Sequence, residues 1–251
     1  MVHSSHIHAL WYGARTLLGN VIFPPSCPVC QRDVEAAISV CHSCFDKLHH
    51  ITDPACPRCS NPFDYAWEED TLCADCEHAL PPYDQAKAAL RYNEISAKLV
   101  TQFKYSDATY LTQYIGQMLY RAIAPLYVQA DVIVPVPLHP KRLRARKYNQ
   151  SMLLAKEVAT YCDLPVQPHW LARIRHTAPQ ASLTMTERHA NVEDVFAVPD
   201  TMMSAVSGKR ILLIDDVMTT GATIHACTVA LKQAGASWVG VGVCAKRVLE
   251  A

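Results

Sequence analysis

The chain has 251 residues, of which 50% are hydrophobic and 18% are charged, and this composition excludes wholesale disorder. Its 23 basic and 23 acidic side chains sum to zero, which argues against a generally basic nucleic-acid-binding protein. The charge is nevertheless divided: residues 1–80 hold four Lys or Arg against ten Asp or Glu, a net −6, and residues 81–251 hold nineteen against thirteen, a net +6.

The N-terminal segment, residues 1–22, is predicted to be a tail followed by an amphipathic helix. Arg15 interrupts the apolar stretch 9–23, and no segment of the chain reaches the roughly 18 apolar residues that span a bilayer. We expect the helix to pack on the protein itself, with a membrane-surface contact as the alternative. No signal-peptide pattern is present, and a cytoplasmic location is expected.

Residues 23–80 are predicted to form a double zinc ribbon, because they contain four C-x-x-C pairs. Two such pairs present four thiolates to one tetrahedral Zn²⁺, and a closed Cys₄ shell is typical of structural zinc. Redox pairs and iron–sulfur ligation are the alternatives. The short spacing between pairs favours sequential over interleaved pairing. The sequential sites are Cys27, Cys30, Cys41 and Cys44 for one ion, and Cys56, Cys59, Cys73 and Cys76 for the other.

Residues 83–251 are predicted to form an α/β domain, because apolar strand-like runs alternate with helical patterns. This alternation indicates a parallel sheet with helices on both faces, whose ligands bind beyond the carboxyl ends of the strands. The predicted strands are 86–92, 131–137, 211–214 and 238–245, and the predicted helices are 95–105, 110–127, 150–162 and 221–234.

The segment ILLIDDVMTTGAT, residues 211–223, combines a buried strand, two adjacent acids and a threonine-glycine loop where the next helix begins. Backbone N–H groups and hydroxyls at such a helix start can surround a phosphate. Asp215 and Asp216 would repel a phosphate, so vicinal ribose hydroxyls are their natural partners. The alternative is an ordinary helix N-terminus with acids in its first turn.

These residues resemble the signature of type I phosphoribosyltransferases. The resemblance implies the type I phosphoribosyltransferase fold and binding of 5-phosphoribosyl-1-pyrophosphate (PRPP), with the acids on the ribose 2′ and 3′ hydroxyls and the loop on the 5′-phosphate. The residues implied are Asp215, Asp216, Val217, Thr219, Thr220, Gly221, Ala222 and Thr223.

Further motifs resemble the competence protein F (ComF) family, whose members also carry N-terminal cysteine knuckles. The motifs are FKYSDA at 103–108, PVPLHPKRLRARKYNQ at 135–150, and a set comprising Arg173, Arg175, Thr177, Gln180, Leu183, Arg188 and Asn191. The resemblance implies a role in natural transformation or in the use of DNA as a nutrient.

The pyrophosphate end of PRPP is assigned by the same resemblance to Pro137, Leu138 and His139, with Mg²⁺ supplying positive charge. Residues 175–191 lie where this fold places a loop that closes over the substrate. Within it, Arg175 and Arg188 are the candidates for meeting pyrophosphate charge. Together with Asp215 and Asp216 they are the predicted catalytic residues.

A basic run, Lys141, Arg142, Arg144, Arg146 and Lys147, lies beside the predicted anion site. It is either a solvated surface, a recruiter of pyrophosphate, or a contact for single-stranded DNA. Two classes of function therefore remain. One is a phosphoribosyltransferase acting on an unidentified acceptor. The other is a non-catalytic accessory that binds PRPP or single-stranded DNA and works with DNA-processing proteins.

Overall fold

The computed structural model describes residues 25–35, 39–64, 68, 70–105, 111–139, 143, 148–175 and 195–248. Two compact units share the chain, Met1–Lys47 and Leu48–Ala251. The first unit contains the first predicted zinc site, and the second contains the other zinc site together with the α/β sheet. The helix predicted near the N-terminus lies outside the described residues. Over the described ranges, no helix has the length and apolar character needed to cross a membrane.

The two cysteine-rich segments repeat one local pattern. In each, the amide of the first cysteine donates a 2.7 Å hydrogen bond to a carbonyl five residues later, from Cys27 to Arg32 and from Cys56 to Asn61. These tight turns present both cysteines of a pair to the same side, as metal knuckles require. A short helix then begins immediately after the third cysteine. The helices are α1, His42–Phe45, and α2, Ala74–His78.

A sheet of four strands forms the centre of the second unit. Its strands are β1 (Gln85–Arg91), β2 (Val132–Pro135), β5 (Arg210–Met218) and β6 (Trp238–Lys246), while β3 (Ala172–Arg173) and β4 (Phe196–Ala197) form a separate antiparallel pair. The order in the sheet is β1-β6-β5-β2, and all neighbours are parallel. The strands are nearly continuous buried runs, as strands covered on both faces must be. The predicted parallel sheet is confirmed.

Helices pack on both faces of this sheet. They are α3 (Glu94–Tyr105), α4 (Leu111–Ala122), α5 (Ala124–Tyr127), α6 (Gln150–Cys162), α7 (Met203–Val206) and α8 (Ala222–Gln233), with a 3₁₀ turn at Asp200–Met202. Leu213 of β5 shares a buried cluster with Leu231 of α8. On the opposite face, a Cβ added to Gly242 would lie 2.8 Å from Ile214 and 2.9 Å from Ile123, just after α4. Glycine therefore lets the sheet and this helix pack closely.

Two predicted elements differ from the structure. The helix predicted over 110–127 is interrupted at Ile123, because Pro125 lacks an N–H and its ring clashes with the preceding turn of a continuous helix. The strand predicted over 211–214 continues to Met218 and pairs with β6 along most of its length, including at Asp215. Its other neighbour, β2, ends opposite Ile214. The acid pair thus lies within β5 but beyond the end of β2, where the sheet opens into a cavity.

Candidate functional site

A cavity of about 210 Å³ lies at the carboxyl ends of β2 and β5, the position where parallel sheets bind ligands. It collects residues from six separate segments of the chain. The acid pair forms part of its wall, together with the first residues after β2 and the start of α6. The lining residues are Tyr92, Lys104, Val136, Pro137, Leu138, Gln150, Ser151, Arg173, Asp215, Asp216, Val217, Thr219 and Thr223.

The acid pair is buried and held by directional contacts. Asp215 and Asp216 are each only 9% exposed. The Ser151 hydroxyl donates to Asp215 Oδ1 at 2.8 Å, and the Asp216 backbone N–H donates to the same oxygen at 2.9 Å. Lys104 Nζ lies 3.2 Å from Asp216 Oδ1 in an ion pair. The two carboxylates therefore have fixed positions, as a clamp for neighbouring hydroxyls requires.

This environment disfavours a second negative charge. Burial, followed by the adjacent charge of Asp216, raises the pKa of Asp215 from 3.8 to about 7. The hydrogen bonds from Ser151 and from the Asp216 amide, and the charge of Lys104, partly oppose this rise. A buried acid with a pKa near neutrality stores free energy in the folded protein, and such groups cluster at functional sites.

The loop between β5 and α8 brings a glycine and two threonines to the start of a helix beside the first cavity. Gly221 adopts φ 76° immediately before the first residue of α8, a conformation that favours glycine. The first N–H groups of this 12-residue helix have no intrahelical acceptors, and they favour negative charge. Thr219 and Thr223 line the cavity beside the acids. Ala222 is buried at the helix start.

A second cavity of about 380 Å³ shares Thr219 with the first. One wall comes from the second cysteine-rich segment and the residues that follow it, including Leu80 and Tyr83, and the other includes Thr220 and Gly221. The loop predicted to hold the 5′-phosphate therefore borders both cavities.

The remaining predicted residues divide into three groups. Pro137 and Leu138 line the first cavity, whereas His139 is half-buried and is not among its lining residues. Arg175 is exposed and does not line the cavity, so its role stays a prediction. The others lie outside the described residues: Arg188, Lys141, Arg142, Arg144, Arg146 and Lys147.

Several lining residues were not predicted as site residues. Lys104 lies in the motif FKYSDA, and Arg173 belongs to the third set of residues that resembles the ComF family. The sequence does not show that either side chain lines the cavity of the acid pair. Arg173 also lies over the ring of Phe196, 5.4 Å from its centre. Ser151 belongs to α6, where a serine is usually unremarkable. Each reaches the cavity only because the chain folds back on itself, and no local sequence pattern reveals that fold.

Both cysteine groups fit a zinc ion. In each group the four sulfurs lie within 4.8 Å of one another. The sulfurs of Cys30 and Cys41 are 3.5 Å apart, as are those of Cys59 and Cys73. Four sulfurs around one tetrahedral Zn²⁺ are about 3.8 Å apart. The groups follow the order of the chain, which confirms the sequential pairing. These are two Cys₄ zinc-binding sites of the structural type.

The second zinc site is part of the core that carries the cavity. Its cysteines belong to the same buried cluster as Met218 and Ala222. Lys246, at the end of β6, donates to the carbonyl of Cys59 at 2.7 Å and lies 3.2 Å from its sulfur. A zinc ion with four thiolates carries a formal charge near −2, so this buried cation offsets part of it.

Comparison with known proteins agrees with this architecture. The double zinc ribbon domain matches residues 18–84, and the phosphoribosyl transferase domain matches residues 149–248. The molecule is therefore a protein with a phosphoribosyltransferase fold and an N-terminal double zinc ribbon.

Its relatives define the family more narrowly. The chain is 30% identical over 203 residues to competence protein ComFC of Bacillus subtilis, covering 78% of this chain and 79% of that protein. It is 25% identical to competence protein F of Haemophilus influenzae, covering 86% and 94%. It is 27% identical to the DNA utilization protein YhgH of Salmonella typhi, covering 86% and 87%. The chain belongs to the competence protein F/ComFC family.

The two zinc sites are expected to contribute differently to the sheet. Cys76→Ser removes a buried ligand from the core of the second unit and should lower the main unfolding temperature by about 5 °C or more. Cys30→Ser, in the first unit, should lower it less. Metal analysis should find two zinc ions in the unmodified protein and fewer in either variant. Equal falls in unfolding temperature would contradict the assignment of the second site to the core.

Asp215→Asn is expected to be more stable than the unmodified protein, by an amount that grows as pH rises. The unfolded carboxyl ionises near pH 4 and the folded one near pH 7, so stability is lost as pH rises through this interval. Asp215→Asn keeps the Oδ1 acceptor and lacks this loss. Its gain in unfolding free energy should grow by about 2 kcal/mol between pH 5 and pH 8.

Urea unfolding at both pH values measures this gain. The exposed Asp200 offers a matched control, and Asp200→Asn should show no such growth. A gain that is the same at pH 5 and pH 8 would refute the raised pKa.

Proposed function

We propose that this protein binds PRPP in the cavity at the ends of β2 and β5 and transfers its ribose 5-phosphate to an acceptor. Relatives named as competence proteins and as a DNA utilization protein support a role of this activity in competence or DNA utilization. The observation that carries the proposal is the buried acid pair, which shares one cavity with the threonine loop at the start of α8.

Each part of PRPP has a chemically matched partner in this proposal. The 5′-phosphate meets the N–H groups and hydroxyls around Gly221. The ribose 2′ and 3′ hydroxyls donate to the carboxylates of Asp215 and Asp216. The pyrophosphate lies toward Pro137 and Leu138, and Lys104 and Arg173 bring positive charge to the same cavity. This arrangement keeps the carboxylates away from the phosphates, because both are negatively charged and repel each other.

Charge development at ribose C1 explains why these groups would assist transfer. The bond from C1 to the pyrophosphate oxygen breaks, and pyrophosphate leaves with the bonding electrons. A nitrogen of the acceptor then bonds to C1 and releases its proton to solvent. Fixed charges near the leaving group act most strongly in this transition state. Mg²⁺ bound by the oxygens of PRPP would neutralise pyrophosphate charge, and the acidic wall of the cavity is compatible with a nearby cation.

The second cavity offers space for the acceptor. It borders the threonine loop and has apolar walls with a few polar groups, which is typical of small-molecule sites. The five basic residues predicted to contact single-stranded DNA lie outside the described residues, and this contact stays a prediction.

PRPP binding is expected to depend on the acid pair. In calorimetric titrations with PRPP and Mg²⁺, the double variant Asp215→Asn with Asp216→Asn should bind at least about tenfold more weakly, because neutral amides accept weaker hydrogen bonds from the ribose hydroxyls than carboxylates do. Asp200→Asn serves as the control and should bind normally. Unchanged affinity in the double variant would rule out the ribose clamp.

Transfer is expected to release pyrophosphate only when an acceptor is present. The assay combines the protein, PRPP and Mg²⁺ with a panel of nucleobases, nucleotides and amines, and follows pyrophosphate. Lys104→Met should slow the release with the active acceptor by about tenfold or more, since it removes a positive charge from the cavity. A protein that binds PRPP but releases no pyrophosphate with any member of the panel would favour the non-catalytic alternative.

A further inference from the structure

Four consecutive residues at the start of α6 tie three other segments of the chain together. Each uses its side chain to reach a different atom of these segments, all of which include residues that line the first cavity or directly precede one. The bonds run from Tyr148 Oη to Phe103 O at 3.2 Å, Asn149 Nδ2 to Val136 O at 3.0 Å, Gln150 Nε2 to Lys104 O at 3.2 Å, and Ser151 Oγ to Asp215 Oδ1 at 2.8 Å.

Asn149 performs two separable tasks within this group. Its Oδ1 accepts from the amide of Ser151 at 3.1 Å and so caps the N-terminus of α6. Its Nδ2 donates to the carbonyl of Val136. The first bond stabilises the helix, whereas the second leaves the helix and holds the segment that follows β2.

Val136 is the residue whose backbone hydrogen bonds hold the chain just before Pro137 and Leu138. Its amide donates to the carbonyl of Ile214 at 2.9 Å, which continues the pairing of β2 with β5. Its carbonyl is taken by Asn149, so both of its backbone polar groups are bound. Pro137 has no N–H to add a further bond. The direction in which Pro137 and Leu138 enter the cavity therefore depends on Val136.

The neighbouring residues anchor the cation of the cavity in the same way. Tyr148 and Gln150 donate to the last carbonyls of α3, where orphan acceptors need partners. The side chain of Lys104 extends from this point to Asp216. One short segment thus sets the relative positions of the acid pair, the cation and the segment after β2.

We propose that Asn149 is a positioning residue for the pyrophosphate end of PRPP, acting through its hydrogen bond to the Val136 carbonyl. The inference rests on the proposed PRPP site. Asn149 is not among the residues that line the cavity, so its effect on a ligand is exerted through Val136, Pro137 and Leu138.

The two tasks of Asn149 can be separated by substitution. Asn149→Ser keeps a capping oxygen and loses the donor to Val136, while Asn149→Ala loses both. Serine leaves room beside the cavity for a water to satisfy the Val136 carbonyl. Asn149→Ser should therefore unfold within about 1 °C of the unmodified protein, and Asn149→Ala about 3 °C lower. Thr160→Ala, at the exposed far end of α6, is the matched control.

Calorimetry with PRPP and Mg²⁺ should show both Asn149 variants binding about tenfold more weakly, which corresponds to about 1.4 kcal/mol. Ribose 5-phosphate lacks the pyrophosphate, and its affinity for Asn149→Ser, measured by competition, should stay within about twofold of normal. Affinity for PRPP would thus follow the Val136 bond, while unfolding temperature follows the cap.

Three results would overturn the inference. One is normal PRPP affinity in Asn149→Ser. Another is an equal loss of affinity for PRPP and ribose 5-phosphate, which would indicate a general disturbance of the site. A third is an unmodified protein that binds neither ligand, which would refute the PRPP site itself and is recognised before any variant is compared.

Discussion

Asp215 and Asp216 bring two carboxylates to one cavity from consecutive positions of β5, an inner strand of the sheet, with less than a tenth of either residue exposed. Buried like charges are unfavourable unless other groups compensate them, and here the compensation comes from distant parts of the chain. Ser151 donates from α6, and Lys104 forms its ion pair from α3. The residues around Asn149 hold those helices and the segment after β2 in register with the pair. The layout of the cavity follows from this one electrostatic requirement.

The zinc ribbons depend on a different constraint, which is the small size of the cysteine-rich segments. Each cysteine-rich segment is too short to bury a substantial apolar core, so metal binding supplies the folding free energy instead. The second ribbon goes further, because its cysteines are buried with residues of β5 and α8 and its Cys59 meets Lys246 of β6. Lys87 Nζ also lies 3.3 Å from Asp53 Oδ1, so the opposite net charges of residues 1–80 and 81–251 meet in at least one specific contact.

Much of the fold could be predicted because its elements are locally encoded. The strands are short apolar runs, and α6 begins and ends at the residues predicted from its periodicity. The pairing of the cysteines followed from their spacing. The break at Ile123 and the continuation of β5 through the acid pair were not predicted. A helical pattern of apolar residues conceals a proline-induced break, and charged residues in a strand look like a loop until the neighbouring strands are known.

The sequence by itself determined the classes of chemistry: two Cys₄ metal sites, a parallel sheet, and an acid pair followed by a threonine-glycine loop. These are short-range patterns, so the type of site can be predicted wherever its residues lie close together in the chain. Only the tertiary structure decided which residues accompany the acid pair. Lys104, Ser151 and Arg173 come from segments far apart in the sequence. It also placed the second zinc site in the core of the sheet, since burial and long-range pairing depend on how the chain folds back on itself.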